Sequence, residues 1–327
     1  MHSWRGDDIN KAIAAACCAW CVIGTASAQN YPSKAVRIIV PYPAGGTSDI
    51  LSRLLSPKLN EAFGQSVIVD NRPGANGNIG ADLVAKSGPD GYTLLLADLG
   101  ALAISPSIYK LPFDPAKDLA PVTMVAYSPH LLAVHPSVPV KTTQELIALA
   151  RSKPGRMNFA VSSIGGAPHL AGVAFEAQTG IKWAYIPYKG GSDAIIGLAS
   201  GQADAIFNGM LATYPHCKSG KLKLLAVSSA KRLASIPEVP TVAEGGLKDF
   251  ETGSWQGVLA AGNTPRDVLA RLNSEIVKAF STAEMKENLT KQGAEVYPMT
   301  PEQLGTWLKK EIDKWAAIVK AANLKLE

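Results

Sequence analysis

Short apolar runs rich in β-branched residues alternate along this chain with stretches whose apolar positions recur every three or four residues. VRIIV, SVIVD, YTLLLA, VTMVA, LLAV, MNFAV, WAYIPY, DAIFN, LKLLAV and WQGVLAA read as strands. After the first of them, Ile50, Leu51, Leu54, Leu55 and Leu59 mark one face of an amphipathic helix. The alternation predicts βαβ units, mainly parallel sheets and two doubly wound lobes, an α/β fold. Near the end, Leu304, Trp307, Leu308, Ile312, Trp315 and Val319 share one helical face, so both tryptophans are expected to be core anchors. Thr264-Pro265 and Thr300-Pro301 each place a capping residue before a first-turn proline, and Thr300 with Gln303 makes a capping box.

Composition narrows the class. With 327 residues, 47% of them hydrophobic and 18% charged, the chain has apolar material for two cores. A net charge of +5 without a long basic block fits a small anionic ligand and not a nucleic acid. Residues 1–28 read as an export signal: Arg5 and Lys11 flank an apolar core from Ala12 to Ile23, and Ala26-Ser27-Ala28 offers a cleavage site. That core is too short to span a bilayer, which needs ~20 residues. Cleavage after Ala28 would place the protein in the periplasm with Gln29 first. It would also remove Cys17, Cys18 and Cys21, leaving Cys217 with no partner for a disulfide.

Candidate chemistry gathers in loops that follow strands, where helix N-termini point in open α/β sheets. In PYPAGGTSD, Pro41 and Pro43 stiffen the approach, Gly45 and Gly46 allow a ligand near the main chain, and Thr47 or Ser48 can cap the helix. It lacks the lysine of a phosphate-binding P-loop. SSIGGAPH repeats the arrangement: Ser162, Ser163, Gly165 and Gly166 precede Pro168 at an expected first helical position. His169 falls in the first turn, where the dipole disfavours its charged form. That histidine would bond either a ligand or a neighbouring loop. The third loop, YKGGSD, sets Tyr188, Lys189, Gly190 and Gly191 before a helix capped by Ser192, and Asn208 ends the next strand. Asp98 stands at the end of YTLLLAD, where an acid should repel an anion or attract an amine. No His or Cys partner stands at metal-ligand spacing, so neither a metal nor a cofactor is expected.

In order, PYPAGGTSDILSRLL, VIVDNRPGANGNIGADLVAKSGPDGYTLL, APHLAGVAFEAQTG, IPYKGGSDAIIGLASGQAD, LLAVSSAKR and IPEVPTVAEGGL resemble the Bug-type extracytoplasmic solute receptors, the substrate-binding components of tripartite tricarboxylate transporters. The resemblance runs over essentially the whole chain after the signal. It implies a periplasmic-binding-protein-like (type II) two-lobed Venus flytrap, crossed twice by the chain, with the ligand cleft between lobes 29–127 plus 255–327 and 128–254. It implies a carboxylate held by main-chain and hydroxyl donors of both lobes, a monomer, and membrane subunits of the transporter as partners. The ligand contacts map onto Tyr42, Ala44, Gly45, Gly46, Thr47, Asp49, Ala97, Asp98, Ser162, Ser163, Ala167, His169, Tyr188, Gly190 and Asn208, with Asp49 expected as an internal brace.

The chain departs from that pattern where Ala97-Asp98-Leu99 replaces a Gly-Thr-Thr-like run and where Ser163 to Pro168 is poorer in hydroxyls. One extra acid and fewer hydroxyls point to a monocarboxylate, an amino acid or another ligand with a neutral or cationic far end. A hydrolase using Ser163 and His169 would need a triad or a nucleophile elbow, and the sequence has neither. A binding module that signals to a sensor would have the same sequence as one that feeds a transporter.

Overall fold

The computed structural model describes residues 31–321; the expected export signal over 1–28 lies outside them. Among the described residues, ten strands are linked in the order β2-β1-β3-β9-β4-β7-β5-β6, with β10 and β8 paired on β4. In the first half, β1 (Val36–Val40) lies between β2 (Val67–Asn71) and β3 (Thr93–Asp98), all parallel. The second half repeats this with β5 (Met157–Val161) between β6 (Trp183–Pro187) and β7 (Ala205–Gly209), again parallel. Both follow from βαβ connectivity, whose crossover helices bring each strand back in the same direction.

The strands that join the halves run the other way. VTMVA and LLAV, read as two strands, are one: β4 (Leu119–Val134) pairs antiparallel with β9 (Gly253–Ala261) as far as Pro129, then from His130 onward with β7 and with β8 (Lys223–Val227). Pro121 and Pro129 each look like an end in the sequence, because proline donates no ladder hydrogen bond. Here Pro121 sits beside a register shift, and Pro129 stands where the strand leaves one sheet for the other. The two-residue β10 (Glu295–Val296) also pairs antiparallel with β4. The parallel character expected of the sheets therefore holds in each half and ends at the crossing.

Helices cover both faces: α1 (Thr47–Phe63), α2 (Asn78–Ala85), α3 (Leu99–Ile108), α4 (Thr143–Ser152), α5 (Ala167–Thr179), α6 (Gly191–Ala199), α7 (Met210–Lys218), α8 (Arg266–Ser281), α9 (Ala283–Lys291) and α10 (Pro301–Ala321). Leu51, Leu55 and Leu59 of α1 are fully buried, as their spacing requires. Leu304 and Leu308 of α10 join Ile39, Leu95, Met124 and Leu259 in one apolar centre, with Trp307 and Trp315 packed at its margin. The capping box of α10 forms as read, with Gln303 N–H donating to Thr300 Oγ1 and Thr300 N–H to Gln303 Oε1. At α8 the expectation fails: Pro265 is the cap residue, and Thr264 turns its hydroxyl to the Ala261 carbonyl. A second centre gathers Leu132, Phe159, Phe175, Trp183 and Phe207. Each half thus buries its own core, and the candidate loops lie at the carboxyl ends of the parallel strands, where the halves meet.

Candidate ligand-binding site

The two diglycine loops share one local design. In the first, Gly45 takes a left-handed φ of 82° that disfavours a side chain, and its N–H donates to Asp49 Oδ2 at 2.9 Å. In the second, Gly165 takes φ 78°, and its N–H donates to His169 Nδ1 at 3.1 Å. Gly46 and Gly166 then stand at the N-cap positions of α1 and α5 with nearly identical backbone angles and no side-chain cap. Gly190 and Gly209 likewise begin α6 and α7 without one. The sequence suggested Thr47, Ser48 and Ser192 as caps. With glycine there instead, the first-turn N–H groups of α1, α5 and α6 keep their hydrogen-bonding capacity for whatever lies ahead of the helix, whereas in α7 Leu211 N–H donates to Ser128 Oγ at 3.4 Å.

What lies ahead is a cavity of about 50 Å³, lined from both halves by Tyr42, Gly46, Thr47, Ser48, Asn76, Asp98, Ala101, Ser162, Ser163, Gly166, Ala167, Pro168, Gly191, Asn208, Gly209, Ser254 and Gln256. Of the fifteen residues proposed from the sequence, Tyr42, Gly46, Thr47, Asp98, Ser162, Ser163, Ala167 and Asn208 meet on its wall. The other seven lie elsewhere. Ala44 and Gly45 are exposed at the loop tip, and Ala97 is buried in the first core. Asp49 is buried and accepts from Gly45 N–H, Arg53 and Asn71, the expected brace; these bonds hold its carboxyl below the usual range although burial pushes the other way. His169 bonds its own loop, and burial lowers its pKa to about 4, so it is neutral at pH 7. Tyr188 reaches back over its own helix to Gln202, 3.3 Å away. Gly190 is buried behind the wall, against Pro43.

Sequence reasoning missed Asn76, Ser254 and Gln256. Ser254 and Gln256 occupy alternate positions of the otherwise apolar β9, a period-two polar pair that places both on one face. Asn76 has φ 57° in the Gly-rich turn before α2, a left-handed asparagine between Ala75 (φ 47°) and Gly77 (φ 86°), both also at positive φ. Its Oδ1 accepts the hydroxyl of Ser163 from the opposite half. A second tie joins the halves: Tyr109 donates its hydroxyl to the Ile164 carbonyl at 2.7 Å. These two bonds hold the halves together beside the cavity.

Asp98 is the one charged side chain among the described wall residues. As N-cap of α3 it accepts Gly100 N–H at 2.7 Å, and the nearby Ala101 N–H and Ser254 hydroxyl favour its charged form. Burial outweighs those bonds and raises its pKa to about 6. The same burial, and then the Asp98 charge, push the Tyr42 phenol well above its ordinary range, so it stays protonated. Ser254 also meets His130 Nε2 at 3.1 Å, and Thr252 meets His130 Nδ1 at 3.1 Å. If the Ser254 proton goes to Asp98, Nε2 must carry the imidazole proton and Nδ1 must accept from Thr252. A polar chain thus links the cavity to the point where β4 changes sheets. Burial lowers His130 to about 3, consistent with a neutral ring there.

Residues 51–324 match the Tripartite tricarboxylate transporter family receptor. The chain belongs to that family. It is 37% identical over 306 residues to Protein BugT of Bordetella pertussis, covering 92% of this chain and 93% of BugT. R. palustris Rpa4515 with adipate superposes with a TM-score of 0.88 at 34% identity, over 91% of this chain and 100% of that one. MatC from Rhodopseudomonas palustris with bound malate gives 0.83 at 28%, over 88% of this chain and 100% of that one. The receptor therefore has the two-domain α/β fold of the periplasmic binding proteins and is a solute-binding protein, not an enzyme.

Proposed function

We propose that this receptor is the periplasmic substrate-binding component of a tripartite tricarboxylate-type transporter and grips a small carboxylate-bearing solute between two lobes, residues 29–127 plus 255–327 and 128–254. On this reading the export signal is cleaved after Ala28, the protein works as a monomer, and its partners are the transporter's membrane subunits. One observation carries it: uncapped helix N-termini from both halves, at Gly46, Gly166 and Gly191, line the same small cavity. Their N–H groups and dipoles favour an anion, and Thr47, Ser162, Ser163 and Asn208 add polar side chains. The adipate and malate held by the two structural relatives support a carboxylate.

Closure follows from divided contacts. A ligand touching both lobes favours the closed form by its differential affinity, and moving the balance from 1:99 to 99:1 takes about 5.5 kcal/mol. Micromolar binding supplies roughly −8 kcal/mol, within reach of several charge-assisted hydrogen bonds in a desolvated cleft. The closed shape then presents a distinct surface to the membrane subunits. Thermal-shift measurements on residues 29–327 with malate, adipate, succinate, propionate and amino acids test the binding step. A ligand at 100 times its Kd adds about 2.7 kcal/mol, a rise of roughly 4 °C for a chain of this size. A flat response to every carboxylate rules the reading out; unchanged uptake of the bound solute in a deletion strain removes the transport half of it.

A further inference from the structure

Resting on the receptor reading above, we infer that the solute is a small α-amino acid, its carboxylate on the open helix N-termini and its ammonium on Asp98. Helix N-termini from both halves reach the wall, and Asp98 shares it with no lysine, arginine or histidine among the described wall residues to balance its charge. The capping duty of Asp98 does not explain the charge, since serine, threonine or asparagine caps a helix as well. Its hydrogen bond from Gly100 and its neighbours Ala101 and Ser254 are all neutral and leave acceptor capacity on the carboxylate. Asp98 is partly exposed, and as a wall residue it opens onto the cavity. A ligand cation is the missing partner for a charge withdrawn from water.

Spacing and size choose the class of amine. A Cβ built on Gly100 would lie 2.9 Å from Asp98 Oδ1 and 3.5 Å from the Cβ of Ala167, the first residue of α5 in the other half. The acid and that helix start are thus close neighbours across the cleft, matched by an ammonium and a carboxylate on one carbon. The cavity of about 50 Å³ has room for roughly four waters at ~10–15 Å³ each, which suits a solute of few heavy atoms. A second carboxylate near Asp98 would meet like charge.

Isothermal titration of residues 29–327 at pH 7.5 with the twenty L-amino acids, and with propionate, succinate and malate, decides the point. The best amino acid should bind at least tenfold tighter than these amine-free acids. Asp98→Asn, which keeps the cap, should weaken amino-acid binding at least tenfold while amine-free acids hold within threefold or improve. Asp98→Ser should behave alike, and melting curves of both variants verify the fold. If amine-free acids bind as well as any amino acid, or Asp98→Asn leaves the preference intact, the inference fails and the carboxylate receptor stands. If no carboxylate of either kind binds, both fall.

Discussion

Closing the cleft brings Gly190 of the second half against Pro43 of the first, and one methyl group there should act as a wedge. A Cβ on Gly190 would stand 2.3 Å from Pro43 Cδ, whereas carbon atoms pack at about 3.5–4.0 Å. Gly190 has φ 173°, an extended angle open to any residue, so alanine brings no backbone strain. The whole penalty therefore falls on the closed form. Overpacking by a methyl costs ~1–3 kcal/mol, which at ~1.4 kcal/mol per tenfold is a roughly 5- to 150-fold rise in Kd. Titration calorimetry of Gly190→Ala against wild type, with the tightest ligand found, measures this. Small-angle scattering should show the variant's ligand-bound form more open. Ligand-free melting temperatures should agree, since an opened cleft removes the clash. Wild-type affinity in Gly190→Ala, or an equal loss of stability with and without ligand, would refute the idea that this contact forms on closure.

Ser163→Ala and Tyr109→Phe each delete one hydrogen bond across the cleft. At ~0.5–1.5 kcal/mol per bond, each should weaken ligand binding about 2- to 12-fold by calorimetry while the ligand-free melt stays put; a drop in the melt alone would make these bonds structural. The cavity carboxyl gives a pH signature. Asp98 titrates at about 6 folded against 3.8 unfolded, so its burial costs stability above pH 6 and costs less as pH falls toward 4. Urea unfolding should therefore show Asp98→Asn gaining on wild type by up to ~3 kcal/mol between pH 4 and pH 7; parallel profiles would contradict the burial of that charge. His130 has the opposite sign. A ring lowered to about 3 against 6.5 unfolded contributes stability that is full above pH 6.5 and is lost as pH falls below it. His130→Gln should flatten that acid limb, and an unchanged limb would place the acid sensitivity elsewhere.

Much of this molecule was legible because two periodicities are strict. The β-branched runs gave all the strands except the two-residue β10, and the helix faces of α1 and α10 bury as their spacing requires. What misled was proline. In β4, Pro121 accompanies a register shift and Pro129 a change of sheet, and neither is an end. The diglycine loops were readable as helix starts facing a ligand, but not which amides would remain open. Gly45 spends its N–H on Asp49, and Gly165 spends its own on His169, both four residues ahead. Such a choice depends on side-chain rotamers that no local pattern records. Ser254 and Gln256 carried a signal in their alternation; Asn76 carried only a Gly-rich turn, and its cross-cleft role needs the other half in place.

On the proposed reading, the repeated loop design accounts for a site that holds an anion without a cationic side chain. In each half the first glycine turns left-handed and is locked by a side chain four residues on, so the second glycine enters the helix at a fixed angle with its amides directed outward. The lock is an acid in one half and a neutral imidazole in the other. Only the position of the acceptor therefore matters to it, not its charge. A side-chain cap at Gly46 or Gly166 would occupy the same N–H groups and stabilise its helix by about a few tenths of a kcal/mol relative to glycine. Leaving them uncapped sacrifices that stability in the ligand-free state and keeps the donors aimed at the cavity, where an arriving carboxylate restores the missing bonds from both halves together. On the proposed reading the same arrangement makes closure depend on ligand: neither half alone can satisfy the acid, and the joined halves leave amides unfilled until one arrives.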